Sequence, residues 1–263
     1  MKLLQDILYK VRLEGVVGTT NVAVESLTSD SRAVRPMALF VAVKGIQSDG
    51  HSFISKAIEL GAAAVVCQDL PEKLEENIVY VQVADTSKAL GIMASNFYEN
   101  PSEKMKVLAV TGTNGKTTVA TLLFRLYSSM GHKCGLLSTV VNRINDIEIP
   151  STHTTPDAVA LNELLSRMQR EGCTHVFMEA SSHALHQNRM AGVQIDGAIF
   201  TNLTHDHLDY HGSMNEYIKA KKILFDQLGT NAYALVNADD RYHDALVSAC
   251  KGRVRTYALH TMA

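Results

Sequence analysis

The stretch Thr111-Gly112-Thr113-Asn114-Gly115-Lys116-Thr117-Thr118 carries the plainest chemistry in the chain. It follows an apolar run at 107–110 and opens a segment of helical spacing at 116–130. Glycines let backbone N–H groups close on an anion, and a helix N-terminus adds the positive end of a dipole. A lysine followed by a hydroxyl suits outer phosphates and a divalent cation. Gly112, Thr113, Asn114, Gly115, Lys116, Thr117 and Thr118 therefore read as a phosphate-binding loop for a nucleotide, with Lys116 on the phosphates and Thr117 on Mg²⁺. The full G-x-x-x-x-G-K-[ST] pattern asks for glycine at 110, where this chain has Val110.

Glu179 ends the apolar run HVFME and could present a carboxylate to the same metal. A strand-end cap or an ion pair is the competing reading. His205, Asp206, His207, Asp209 and His211 crowd one short stretch. They nearly form the H-x-H-x-D-H pattern of a dinuclear zinc site, but Tyr210 stands where the last histidine is required. One histidine as a metal ligand, with His205 and His211 as hydrogen-bonded loop residues, is the simpler reading. Lys219, Lys221 and Lys222 read on their own as a solvated basic helix face.

These groups need elements to hold them. In the first part, strands are expected at 38–43, 63–67 and 78–83, with helices at 52–60 and 87–97. The opening MKLLQDILYK reads as an amphipathic helix. In the second part, strands at 107–110, 135–140, 175–179, 197–201, 232–236 and 253–257 alternate with helices at 116–130, 157–170 and 214–228. Thr155-Pro156 is taken as the cap and first turn of the 157–170 helix. Such alternation predicts an α/β fold with a mostly parallel sheet covered on both faces. Ligands of such sheets bind beyond the carboxyl ends of the strands. That is where TGTNGKTT, EASSH, NLTHDHLDYHG and NADD all fall. The polar stretch 96–106 contains Pro101 and suggests a domain boundary. The expected division is a small α/β domain at 1–104 and a P-loop domain at 105–263.

Composition narrows the function. Across 263 residues, 46% are hydrophobic and 20% charged, with a net charge of -2. That balance suits a globular fold and argues against nucleic acid as a partner, since phosphate neutralisation needs a basic surface. No apolar run approaches the ~20 residues of a membrane span, and no cleavage-site pattern follows the start. A cytoplasmic location without membrane insertion is expected. The four cysteines form no C-x-x-C pair and read as reduced, structural thiols.

Together GTNGKTT, MEASSHALHQNR, TNLTHDHLDYHGSMNEYIKAKKILF and VNADD resemble the Mur ligases, ATP-dependent amide ligases that build the peptide of the bacterial cell wall. LTSDSR and LFVAVKGIQSDGHSFI look like the family's UDP-substrate domain. The resemblance covers essentially the whole chain and is nearest to the members that add the third residue of the stem peptide. It implies ATP and Mg²⁺ as cofactors. It implies a diamino acid, diaminopimelate rather than lysine, joined to UDP-N-acetylmuramoyl-L-alanyl-D-glutamate through an acyl phosphate. By resemblance, Lys116, Glu179, His207 and Lys221 are catalytic, and Thr117, Glu179, His207 and Lys221 hold metal. Lys221 does so as a carbamate (N6-carboxylysine), and Asn237 contacts adenine. Ser29, Ser31, Ile46, Gln47 and Ser48 match the uridine site. His153, Thr154, Thr155, Ser181, Gln187 and Arg189 match the muramoyl-dipeptide site. Met37-Ala38 replaces a Gly-Asp pair common in the family. The family also carries a carboxy-terminal domain with the amino-acid pocket, expected to be absent here. The 263-residue chain is accordingly expected to be inactive alone, and the full-length protein monomeric. Two other readings stand beside this one: a related ligase such as a folylpolyglutamate synthase, or a non-catalytic nucleotide-binding remnant.

Overall fold

The computed structural model describes residues 1–45, 48–151 and 153–260. The proposed uridine-site residues Ile46 and Gln47 lie outside the described residues. The chain divides into two compact units, residues 1–100 with 190–192, and residues 101–189 with 193–263.

In the first unit, β1 (Lys2–Leu3) pairs antiparallel with β3 (Ala23–Val24). A five-stranded sheet contains β2 (Gly15–Val17), β4 (Ser26–Thr28), β5 (Ala38–Val41), β6 (Ala62–Cys67) and β7 (Val79–Gln82), in the order β2-β7-β6-β5-β4. Only β2 runs antiparallel to its neighbour. The continuous apolar runs ALFV and AAAVVC become central strands because both faces are covered. Helices α1 (Leu4–Ile7), α2 (Ile54–Glu59) and α3 (Thr86–Phe97) flank the strands in sequence. The expected opening helix is thus a single turn. The expected 52–60 helix starts instead as a 3₁₀ turn, Gly50–Phe53, because the Asp49 carboxylate accepts from the His51 N–H at 2.9 Å and caps it there.

The second unit holds β8 (Lys106–Thr111), β9 (Cys134–Leu137), β10 (Val141–Ile144), β11 (Ile147–Pro150), β12 (His175–Glu179), β13 (Gly197–Phe200), β14 (Tyr233–Asn237) and β15 (Arg253–Tyr257). The order is β11-β10-β9-β12-β8-β13-β14-β15. All pairings are parallel except those of β10 with β9 and β11. This antiparallel hairpin corrects the single strand expected at 135–140: β9 stops at Leu137, and the chain reverses at Asn145, whose φ is 53°. Helices are α4 (Lys116–Ser129), α5 (Ala158–Arg170), α6 (Ser182–His186), α7 (Leu208–His211), α8 (Met214–Asp226) and α9 (His243–Val247). α5 begins one residue later than expected. Asp157 is its cap, accepting from Val159 and Ala160 N–H at 3.0 and 2.9 Å.

α4 lays Ala120 and Phe124 against Val110, Leu136 and Phe177. Val110 is fully buried in β8, so the position where the sequence pattern asks for glycine is a core position here. The parallel strands β8, β12, β13 and β14 place Thr111, Glu179, Phe200 and Asn237 at one edge of the sheet. The cysteines are free, and burial pushes the Cys67 and Cys173 thiols up to about 11.

Candidate active site

The loop after β8 is pinned to the end of β13. Thr113 N–H donates to the Asn202 carbonyl at 2.8 Å, and Asn114 N–H to the Asn202 side-chain oxygen at 3.0 Å. The Thr201 hydroxyl donates to the Asn114 carbonyl at 2.7 Å. That close approach explains Gly112: its φ is 149°, and a Cβ there would stand 1.9 Å from Thr201 Oγ1. Gly115, at φ 87°, turns the chain into α4. Lys116 Nζ donates back to the carbonyls of Gly112 and Thr113 at 3.0 and 2.8 Å. Burial lowers the pKa of Lys116, while Glu179 and Asp206 oppose the shift.

Glu179 is 1% exposed at the end of β12. Its carboxylate accepts from the Thr117 hydroxyl at 2.8 Å, from Thr139 N–H at 2.8 Å and from the Thr139 hydroxyl at 3.2 Å. Thr117 and Glu179 thus form a hard-oxygen pair. Such a pair suits Mg²⁺, which takes one or two protein oxygens and fills its octahedron with phosphate and water. Among the described residues, no group of three or more His, Cys, Asp or Glu side chains is arranged as a ready-made cage. His207, in the left-handed region at φ 53°, precedes α7, and its ring is the one in its motif that lines a cavity shared with Thr117 and Glu179.

The lysine trio separates. Lys219 pairs with Glu216 at 2.7 Å and Lys222 with Asp226, both on the surface. Lys221 is 1% exposed. Its Nζ donates to the Gly112 carbonyl at 2.8 Å and sits 4.6 Å from the centre of the Tyr217 ring. Burial first, and then the Lys116 charge, push its pKa down to about 7, against the pull of Asp206. His211 is buried, with Nε2 3.0 Å from the Ser182 hydroxyl, while His205 is exposed. His211 therefore ties α7 to α6.

A second set of residues approaches from the loops after β11 and β12. The Thr155 hydroxyl donates to the Glu179 carbonyl at 2.8 Å, and Ser181 N–H donates to the Thr155 hydroxyl at 3.2 Å. Ser181 in turn caps α6. The Arg189 guanidinium donates to the Thr155 carbonyl at 2.9 Å and to the Gln187 side-chain oxygen at 3.0 and 2.6 Å. One cavity of about 490 Å³ gathers residues 113–117 with His153, Thr154, Thr155, Glu179, Ser181, Arg189 and His207. Thr139 and His183 also line it and escaped the sequence reading. The signal for Thr139 was its place two residues past β9, at the same carboxyl-end edge.

Other expected residues lie outside this cavity. Lys221 lies behind Gly112. Asn237 donates to the Thr201 carbonyl at 2.9 Å and accepts from Asp239 N–H at 3.0 Å, so it braces the strand end. In the first unit, Ser31 is buried in a 3₁₀ turn that Asp30 caps, while Ser29 and Ser48 are exposed.

Residues 110–263 match the Mur ligase middle domain, and residues 23–98 match the Mur ligase family catalytic domain. The chain belongs to the Mur ligase family. A Cytophaga hutchinsonii protein named UDP-N-acetylmuramoyl-L-alanyl-D-glutamate--2,6-diaminopimelate ligase is 51% identical over 99% of this chain and 54% of its own length. A Phocaeicola vulgatus protein of the same name is 47% identical over 99% of this chain and 54% of its own length. This Mur ligase chain therefore spans about half the length of these curated relatives. A solved structure bearing that ligase name superimposes with a TM-score of 0.82 at 28% identity, covering 99% of this chain and 53% of the other. MurF from Acinetobacter baumannii shares the fold at a TM-score of 0.63 and 19% identity, over 96% of this chain and 52% of its own.

Proposed function

We propose that this Mur ligase chain carries the nucleotide- and acyl-donor half of a ligase that joins 2,6-diaminopimelate to UDP-N-acetylmuramoyl-L-alanyl-D-glutamate, with ATP and Mg²⁺. One observation carries the reading. A single cavity joins a phosphate loop, a buried carboxylate beside a hydroxyl, and an arginine–threonine arm. A kinase-like site would need the first two; the third supplies a place for a second anionic substrate.

A free carboxylate is a poor acylating agent, so the reaction needs an activated form. In the proposed sequence, the terminal D-glutamate carboxylate attacks the γ-phosphorus of ATP, and ADP leaves. The amine of diaminopimelate then attacks the acyl phosphate carbon, losing a proton, and inorganic phosphate leaves. Residues 112–118 would bind the phosphates through backbone N–H groups, with Lys116 exchanging its loop carbonyls for phosphate oxygens. Thr117, Glu179 and His207 would hold one Mg²⁺, and Lys221, as a carbamate, a second. These ions would offset charge on the transferring phosphoryl group. Arg189, Thr154, Thr155, His153, Ser181 and Gln187 would orient the dipeptide. Ser29, Ser31, Ile46, Gln47 and Ser48 would take the uridine nucleotide, and Asn237 the adenine. A monomeric, cytoplasmic full-length enzyme belongs to the same proposal. No described residue is assigned to the amine, so amide formation is not expected of these 263 residues alone.

Calorimetric titration tests the reading. The chain should bind ATP with Mg²⁺ and, separately, UDP-N-acetylmuramoyl-L-alanyl-D-glutamate. Lys116→Ala should weaken the first and spare the second. Failure to bind the UDP-linked dipeptide would exclude the proposed substrate.

A further inference from the structure

Tyr210 is the residue that breaks the zinc pattern in the histidine cluster. Its phenol oxygen accepts from Gln187 Nε2 at 3.0 Å and lies 3.0 Å from His186 Nδ1. The Gln187 amide is thereby spanned: its nitrogen goes to Tyr210, and its oxygen takes both Arg189 bonds, at 3.0 and 2.6 Å. Arg189 continues to the Thr155 carbonyl at 2.9 Å, and the Thr155 hydroxyl to the Glu179 carbonyl at 2.8 Å. At the other end, Tyr210 N–H donates to the carbonyl of His207 at 3.2 Å. A continuous run of hydrogen bonds thus joins the His207 turn to the arginine that faces the cavity.

We propose that Tyr210 is a positioning residue, whose phenol fixes Gln187 and through it the guanidinium of Arg189 for an anionic dipeptide substrate. The inference rests on the functional reading above. An unanchored Gln187 amide can rotate about its last bond, and Arg189 then loses the acceptor that sets its plane. Arginine recognises carboxylates through that plane, so orientation matters as much as charge. The phosphate loop shares none of these bonds, so nucleotide binding should be indifferent to the phenol.

Tyr210→Phe removes the oxygen and keeps the ring, whose centre lies 4.0 Å from that of His183. Titration of the variant with UDP-N-acetylmuramoyl-L-alanyl-D-glutamate should show affinity reduced about five- to tenfold, with ATP affinity changed less than about twofold. Gln187→Ala should lose a similar factor, and the double variant no more than the larger single loss, because both act on one path. Unchanged dipeptide affinity in Tyr210→Phe, additive losses, or equal losses for both ligands would overturn the positioning role and leave the functional reading standing. A wild-type chain that binds ATP but not the UDP-linked dipeptide would overturn both.

Discussion

Single residues here do work that their spacing only half announces. The histidine cluster reads as one group in the sequence, yet the fold divides it into a ring at the cavity, His207, and a buried brace, His211. His183, His186, His207 and Lys221 face His211, and burial with these charges lowers its pKa from 6.5 to about 4. The unfolded chain takes up this proton near pH 6.5 and the native one only near 4, so the unfolded state binds more protons between those limits. Stability should therefore fall as pH drops from about 6.5 to about 4. Thermal melting across this range should show a shallower decline in His211→Asn than in the wild type. Lys221 was distinguishable from Lys219 and Lys222 by family resemblance alone. Helical spacing cannot reveal that Lys221 lies beneath the Gly112 carbonyl, because that contact spans 109 residues. With a pKa near 7, Lys221 holds a neutral, nucleophilic amine at mildly basic pH, which is the form that captures carbon dioxide. Carbon-13 bicarbonate should give a carbamate resonance that grows as pH rises through about 7 and is missing in Lys221→Ala. No resonance in the wild type would remove the carbamate from the proposed metal set.

At the scale of elements, local signals located the long buried strands and missed the short strands β1 to β4 and the β10–β11 hairpin. Apolar runs such as HVFME announce buried strands because both faces of a parallel sheet are dry. The hairpin of β10 and β11 has a partly exposed, mixed pattern instead, and its only marker is Asn145-Asp146 between alternating runs. Helix starts were legible to within a residue or a turn, since caps compete over short distances. α5 shows the competition: Thr155 was available as a cap, but its hydroxyl is spent on the Glu179 carbonyl, and Asp157 serves instead. Asp157→Ala should cost about 1 kcal/mol of stability through the two lost N–H acceptors. Thr155→Ala should leave the helix start intact and loosen the cavity wall. Amide hydrogen exchange at Val159 and Ala160 separates these roles: it should quicken in Asp157→Ala and not in Thr155→Ala, and unchanged exchange in Asp157→Ala would mean that the cap assignment is wrong.

At the scale of the second unit, the sheet register predicts how the chain behaves in solution. Val110 pairs with Ile199, Ile199 with Leu235, and Leu235 with Arg255, so these residues share one face. α4 covers that face at Val110. Further along it, Tyr233 is 48% and Leu235 36% exposed. On the solvent side of α4, Leu122, Leu126 and Met130 recur at helical spacing with 58, 53 and 63% exposure. All five residues of β15 are exposed, and among the described residues no strand pairs with its outer side. Apolar surface beside an open strand edge favours association, and a net charge of -2 supplies little repulsion against it. The 263-residue chain should therefore sediment as larger species as its concentration rises. Leu126→Glu should reduce the effect by charging the helix stripe, and Val254→Lys by charging the edge strand. If the edge dominates, only Val254→Lys will act; if the helix stripe dominates, only Leu126→Glu will. A wild-type chain that stays monomeric at all concentrations would show that this face is too polar to drive contact, despite its exposed leucines.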